Sequence, residues 1–112
     1  MSDCLFCSIA AGEIPSDKVY EDDNVLAFKD IAPKAPIHIL VIPKKHIQSA
    51  AMVNSGNSVL VAQCFEAIAA IAGKMGIDNF QVLTNCGEEA GQTVPHLHFH
   101  LLAQRSGDLT EK

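Results

Sequence analysis

The sequence predicts an α+β fold, a five-stranded antiparallel sheet with one long helix and a short N-terminal helix. Three observations lead there. Five short segments rich in apolar and β-branched residues are bounded by Asp, Asn, Gly and Pro. One long segment, Ser58 to Met75, repeats its apolar residues at helical spacing. The strands follow one another through hairpin-like connections rather than alternating with helices, which argues against a parallel sheet.

Residues Cys4 to Ala11 form the first helix, ended by Gly12 and kept from continuing by Pro15. Lys18 to Glu21 is the first strand. The Asp22-Asp23-Asn24 turn joins it to a second, Val25 to Asp30, as a hairpin. After a proline-bearing loop, Ile37 to Ile42 is the third strand, closed by Pro43 where the ladder loses a donor. Lys44 to His46 lead into an irregular segment. Val61, Phe65, Ile68, Ala72 and Met75 mark the buried stripe of the long helix, which Gly76 stops. Phe80 to Asn85 and His96 to Leu102 are the last two strands, separated by a loop with Gly87, Gly91 and Pro95. The 112 residues form a single domain with its core at about 4–104 and a polar tail at 105–112.

Composition excludes several classes. The net charge of −5 argues against sequence-independent nucleic-acid binding, which draws its affinity from clustered Lys and Arg. The uninterrupted apolar runs fall well short of the roughly 18 residues a bilayer needs, and the N-terminus lacks the basic start of a secretory signal. A soluble cytoplasmic protein is therefore expected. A cytosolic chain with such a core needs no disulfides, so Cys64 and Cys86 are expected as thiols.

The chemistry is concentrated in His96-Leu97-His98-Phe99-His100-Leu101-Leu102. Strand periodicity puts three imidazoles on one face, with neighbouring Cβ atoms roughly 7 Å apart, and Leu97, Phe99 and Leu101 on the other, under the helix. Imidazole serves as nucleophile, acid or base near neutral pH without large tuning. Packing explains such a row poorly, since each buried ring would demand hydrogen-bond partners. Alternating histidines are also good Zn²⁺ ligands. The loop before the strand, Gly87-Glu88-Glu89-Ala90-Gly91-Gln92-Thr93-Val94, favours phosphate chemistry instead. Its glycines let backbone N–H groups approach an anion, and Gln92 and Thr93 add side-chain donors.

The triad segment fits the pattern His-φ-His-φ-His-φ-φ, with φ apolar. Together with Glu13-Ile14-Pro15, Tyr20-Glu21-Asp22-Asp23, Ala27-Phe28, Asp30-Ile31, Ala35-Pro36, His38, Val41-Ile42-Pro43-Lys44-Lys45-His46-Ile47, Asn85 and Gly91-Gln92-Thr93-Val94, it makes the chain resemble the histidine triad superfamily, most closely its purine nucleoside phosphoramidase branch. The resemblance covers about residues 4–104. It implies a hydrolase of purine nucleoside 5′-monophosphate derivatives (AMP or GMP phosphoramidates and adenylates) that acts through a covalent nucleotidyl-histidine on His98. His100 would contact a phosphate oxygen, with His38 and His96 behind or beside the nucleophile. Asn85, the backbone of Gly91 and Gln92, and the Thr93 hydroxyl would hold phosphate, Thr93 also helping to protonate the leaving amine. Asp30 would accept from both ribose hydroxyls, a task suited to an acceptor-only side chain. Leu5, Phe6, Ile9, Phe28 and Ile31 would wall the base.

The resemblance further implies a homodimer with a continuous sheet, the long helix contributing to the contact, and no cofactor required for catalysis. In relatives that keep both cysteines of Cys4-Leu5-Phe6-Cys7, His46 and His96 complete a Cys2His2 structural zinc site. Without a metal, Cys4 and Cys7 would be small buried residues of the first helix. Residues 103–112 are polar and the chain lacks tryptophan, unlike relatives whose tails shape the leaving-group side. The alternatives are a dinucleoside polyphosphate hydrolase of the same superfamily and a nucleotide-binding regulator without catalysis.

Overall fold

In the computed structural model, which describes residues 4–105, the chain opens with helix α1 (Leu5–Ala10), preceded by Cys4 as N-cap. Residues 106–112 of the expected tail lie outside this range. Five strands follow the order β1-β2-β3-β5-β4, all neighbours antiparallel: β1 (Lys18–Glu21), β2 (Val25–Lys29), β3 (Ile37–Pro43), β4 (Gln81–Leu83) and β5 (Phe99–Ala103). The expected α+β architecture is therefore present. The β1–β2 turn closes because the Asp22 carboxylate accepts the N–H groups of Asn24 and Val25, both at 2.8 Å.

Period-two alternation sorts the apolar residues. Ala27, Ile39, Val41, Phe99 and Leu101 meet Cys64, Ala67, Ile68 and Ile71 of helix α2 (Ser58–Met75) on one face. Leu26, Phe28, Leu40 and Ile42 point the other way and meet Phe6 and Ile9 of α1. The sheet is thus packed on both faces, by α2 on one and by α1 over part of the other. The histidines occupy the rest of the α1 face.

The buried stripe of α2 is rotated from the one the sequence suggests. Ile68 and Ala72 are buried as expected, but Cys64, Ala67 and Ile71 take the places nearest the sheet, and Phe65 stays 47% exposed, touching Phe99 with its ring. Small residues let the helix approach the strands closely, and counting apolar spacing ignores this. Gly76, at φ 69°, closes the helix in the left-handed conformation expected of it. With Glu66 and Lys74 as its only charges, α2 is also long and apolar enough by composition to span a membrane, a length the uninterrupted runs do not reveal. Here its buried side lies on the sheet.

Two strands are shorter than expected. β5 begins at Phe99, so His96 and His98 precede the ladder rather than belonging to it. The register explains why: Val41 faces Phe99, which would put Pro43, with no N–H, opposite Leu97. Leu97 N–H donates instead to the Ile47 carbonyl. On the other side, the Thr84 hydroxyl donates to the His98 carbonyl at 2.8 Å, replacing a main-chain rung and ending β4 at Leu83 rather than Asn85. β2 likewise stops at Lys29, and Asp30 turns the chain by accepting the Ala32 N–H at 2.8 Å. Two 3₁₀ turns, Ala50–Met52 and Glu88–Ala90, were not legible in advance.

Candidate active site and metal centre

The three triad histidines do not form one row. Alternation holds, since Leu97, Phe99 and Leu101 all enter the α2 core. The rings diverge, however: His98 and His100 are neighbours, with ring centroids 5.0 Å apart, whereas His96 is wholly buried and turned toward Cys4, Cys7 and His46. The expected shared edge therefore consists of two imidazoles, joined from β3 by His38, whose ring lies 5.1 Å from that of His100.

Backbone groups determine which nitrogen carries the proton on His38, His96 and His98, and His38 in turn determines it on His100. The Lys34 N–H can only donate, and it meets His38 Nδ1 at 3.0 Å, so His38 carries its proton on Nε2. That Nε2–H donates to His100 Nδ1 at 2.8 Å, which leaves His100 with its own proton on Nε2. The carbonyl of His96 can only accept. It receives His98 Nδ1–H at 2.7 Å, so His98 keeps a free lone pair on Nε2. The Pro43 carbonyl receives His96 Nε2–H at 2.8 Å, so the lone pair of His96 is on Nδ1.

Burial pushes His100 down to about 4, and the adjacent His98 and His38 add to this, while Asp30 partly opposes it. His38 is lowered chiefly by burial too. Both rings are thus neutral at pH 7. An unfolded histidine titrates near 6.5, so the unfolded chain takes up the His100 proton first. The stabilisation held by neutral His100 is complete above about 6.5 and is lost as pH falls toward 4. In urea titrations between those values the wild type should lose stability more steeply than His100→Asn. Parallel slopes would refute the assignment.

His98 and His100 line a cavity of about 310 Å³, within the range of small-molecule sites. Leu5, Phe6, Ile9, Phe28 and Ile31 line it, although Ile31 is fully exposed, and Asp30 and Thr93 lie on the same lining. Asp30 Oδ2 sits 3.4 Å from His38 Nε2, too long for a strong bond, so it retains accepting capacity. Ile14, Pro15, Ser16 and Leu40 also line it, with Asp17, Lys29 and Val94. Leu40 could have been found from its alternation with His38 on β3, and Ile14 and Pro15 belong to a motif read only as a resemblance.

Asn85, Gly91 and Gln92 are not on this lining; they shape the loop beside it. Asn85 Nδ2 donates to the Ala90 carbonyl at 2.7 Å. Gln92 is fully engaged, accepting Gly87 N–H at 2.8 Å and donating to the carbonyls of Gln48 and Val94. Gly91, at φ 97°, takes a backbone conformation that other residues rarely adopt. The Asn85 and Gln92 side chains and the Gly91 backbone act on the loop's path, so Gln92 is not the side-chain phosphate donor the loop composition suggests.

A second centre lies behind Phe6. One donor atom each from Cys4, Cys7, His46 and His96 lies within 4.8 Å of all the others. His96 Nδ1 is 3.3 Å from Cys4 Sγ, 3.5 Å from Cys7 Sγ and 3.2 Å from His46 Nδ1, and Cys7 Sγ is 3.3 Å from His46 Nδ1. Ligands bonded at about 2.0–2.3 Å in a tetrahedron stand about 3.3–3.8 Å apart, so these residues fit a Zn²⁺ ion. The free lone pair of His96 is on the correct nitrogen. Asp30, His38 and His100 also converge within 4.8 Å. That group does not fit, because the Lys34 N–H keeps the His38 proton on Nε2, the atom that would have to ligate.

Known proteins agree with this architecture. The family model described as "Scavenger mRNA decapping enzyme C-term binding" matches residues 3–112. Protein HitA of Neisseria gonorrhoeae is 44% identical over 103 residues, spanning 91% of this chain and 96% of its own. Among solved structures, a HIT family hydrolase from Clostridium thermocellum superposes with a TM-score of 0.89 at 42% identity, over 100% of this chain and 97% of that one. A histidine triad protein from Clostridium difficile gives 0.88 at 49% identity, over 96% and 93%. With its fold, its alternating histidines and these relatives in agreement, the chain belongs to the histidine triad family.

Proposed function

We propose that this chain hydrolyses the P–N bond, or a related P–O bond, of purine nucleoside 5′-monophosphate derivatives through a covalent nucleotidyl-histidine on His98. The observation that carries the proposal is the bond from His98 Nδ1–H to the His96 carbonyl, which leaves Nε2 basic on a ring lining the cavity. Nε2 attacks phosphorus, the P–N bond breaks, and the departing amine takes a proton that the Thr93 hydroxyl relays from solvent, to be returned when water loses a proton in the second step. The phosphorylated ring is cationic and keeps its Nδ1–H on the His96 carbonyl, which stabilises that charge. Water then displaces His98, releasing the nucleotide and returning the imidazole to neutrality.

The remaining residues bind and orient. Neutral His100 offers Nε2–H to a phosphate oxygen without competing for the proton that the amine needs. Asp30 accepts from the ribose, and Phe6, Ile9 and Phe28 enclose the purine base of AMP or GMP. Backbone N–H groups around Gly91 and Gln92 complete the anion cradle, supported by Asn85.

Cys4, Cys7, His46 and His96 would hold a structural Zn²⁺. It supplies a cross-link and no catalytic step requires it. A homodimer is supported by the apolar surface of Val59 (59% exposed) and Phe65 on α2 and of Leu83 (46% exposed) on the edge strand β4.

The test is turnover of adenosine 5′-phosphoramidate followed by phosphorus NMR, with acid-quenched protein analysed by mass spectrometry. Release of AMP with one nucleotidyl group on the His98 peptide is expected. Absence of both turnover and adduct would sink the proposal.

A further inference from the structure

We propose that the Cys4, Cys7, His46 and His96 cluster, when loaded with its ion, latches α1 onto the sheet, so that metal occupancy governs affinity for the purine base and not the chemistry at phosphorus. The inference rests on reading the cavity as a nucleotide site and adds a means of setting its affinity.

The two halves of the cluster are supported differently. His46 follows β3 and His96 precedes β5, so both sit on segments that adjoin the central strands. His96 is wholly buried, its ring is tied to the Pro43 carbonyl, and the next residue's N–H is tied to Ile47. This half stays in place with or without an ion. Cys4 and Cys7 belong to α1, a helix of six residues. Helices shorter than about 12 residues do not persist on their own propensity.

α1 sits on the sheet through Phe6 and Ile9, and its N-cap is Cys4 itself, whose Sγ accepts the Cys7 N–H at 3.3 Å. Both ends of that capping interaction are therefore in metal-ligating residues. The same short helix supplies Leu5, Phe6 and Ile9 to the cavity wall. The Phe6 ring stands edge-on to His98 at 5.0 Å and to His96 at 5.9 Å, between the nucleophile and the metal centre. Releasing the ion frees the base wall. It leaves the bond between His98 and the His96 carbonyl, which involves no ligand atom, in place.

The experiment uses the full chain, reduced and reconstituted with one equivalent of Zn²⁺, beside chelator-stripped protein and Cys7→Ser with Zn²⁺ present. Hydrogen exchange is followed at residues 5–12, and calorimetry gives affinities for AMP and for ribose 5-phosphate, which has no base. In the stripped and Cys7→Ser proteins, exchange at 5–12 should rise roughly tenfold or more, while the sheet stays protected. AMP affinity should fall roughly fivefold to tenfold and ribose 5-phosphate affinity should change less than about twofold.

Failure to take up Zn²⁺, unchanged exchange at 5–12, or equal loss of both ligands would each overturn the latch. If the loaded protein bound neither ligand, the nucleotide reading would fall and the proposal on affinity with it, while exchange at 5–12 would still report whether metal holds α1.

Discussion

His98→Ala is expected to lower turnover of adenosine 5′-phosphoramidate by roughly 10³-fold or more while AMP affinity stays within about tenfold of wild type. The asymmetry follows from what the ring does. In the proposed mechanism its Nε2 is needed when the new bond to phosphorus forms, whereas ground-state binding would be shared among His100, Asp30, Thr93 and the apolar wall, which line the same cavity. The variant should fold, because its backbone bonds are kept: the His98 carbonyl still accepts from Thr84 and the neighbouring Leu97 N–H still reaches Ile47. The covalent adduct should vanish together with turnover. Near-normal rates would show that another group attacks phosphorus, and a matching loss of AMP affinity would show that the ring mainly binds.

Leu101→Ala carries the largest expected cost in stability, about 2–5 kcal/mol, or roughly 10–20 °C in melting temperature. Leu101 is fully buried, opposite Ile39 on β3 and Val82 on β4, and it belongs to the α2 core. Its neighbours are held by both ladders and cannot collapse into the space that truncation leaves. His100 lies next in sequence on the opposite face, so well below the melting temperature turnover should change by no more than a fewfold. A loss under about 1 kcal/mol would mean that the triad strand is packed loosely, contrary to its burial.

Much of this molecule is legible from local pattern. The Asp22 turn, the Gly76 stop and the alternation of Leu97, Phe99 and Leu101 all follow from rules acting over a few residues, and each stands where expected. What local pattern missed depends on a partner distant in sequence. The start of β5 is set by Pro43, more than fifty residues earlier, through a register that emerges only when the strands pair. The buried stripe of α2 depends on how closely small side chains approach the sheet. The divergence of His96 from His98 and His100 depends on a helix at the other end of the chain, whose sulfur atoms face His96 Nδ1. Gln92 looks like a phosphate donor in sequence because its composition does not show that Gly87, Gln48 and Val94 already occupy its amide.

The proton placement on these rings has an evolutionary consequence. The partners that orient His38, His96 and His98 are main-chain groups, namely the amide of residue 34, the carbonyl of residue 43 and the carbonyl of residue 96, and His100 takes its polarity from His38. Side chains at 34 and 43 can therefore drift without reversing any ring, provided that the chain keeps its course and residue 34 does not become proline. The polarity of the histidines is inherited with the path of the polypeptide, and lineages can retune substrate preference around them without rebuilding it.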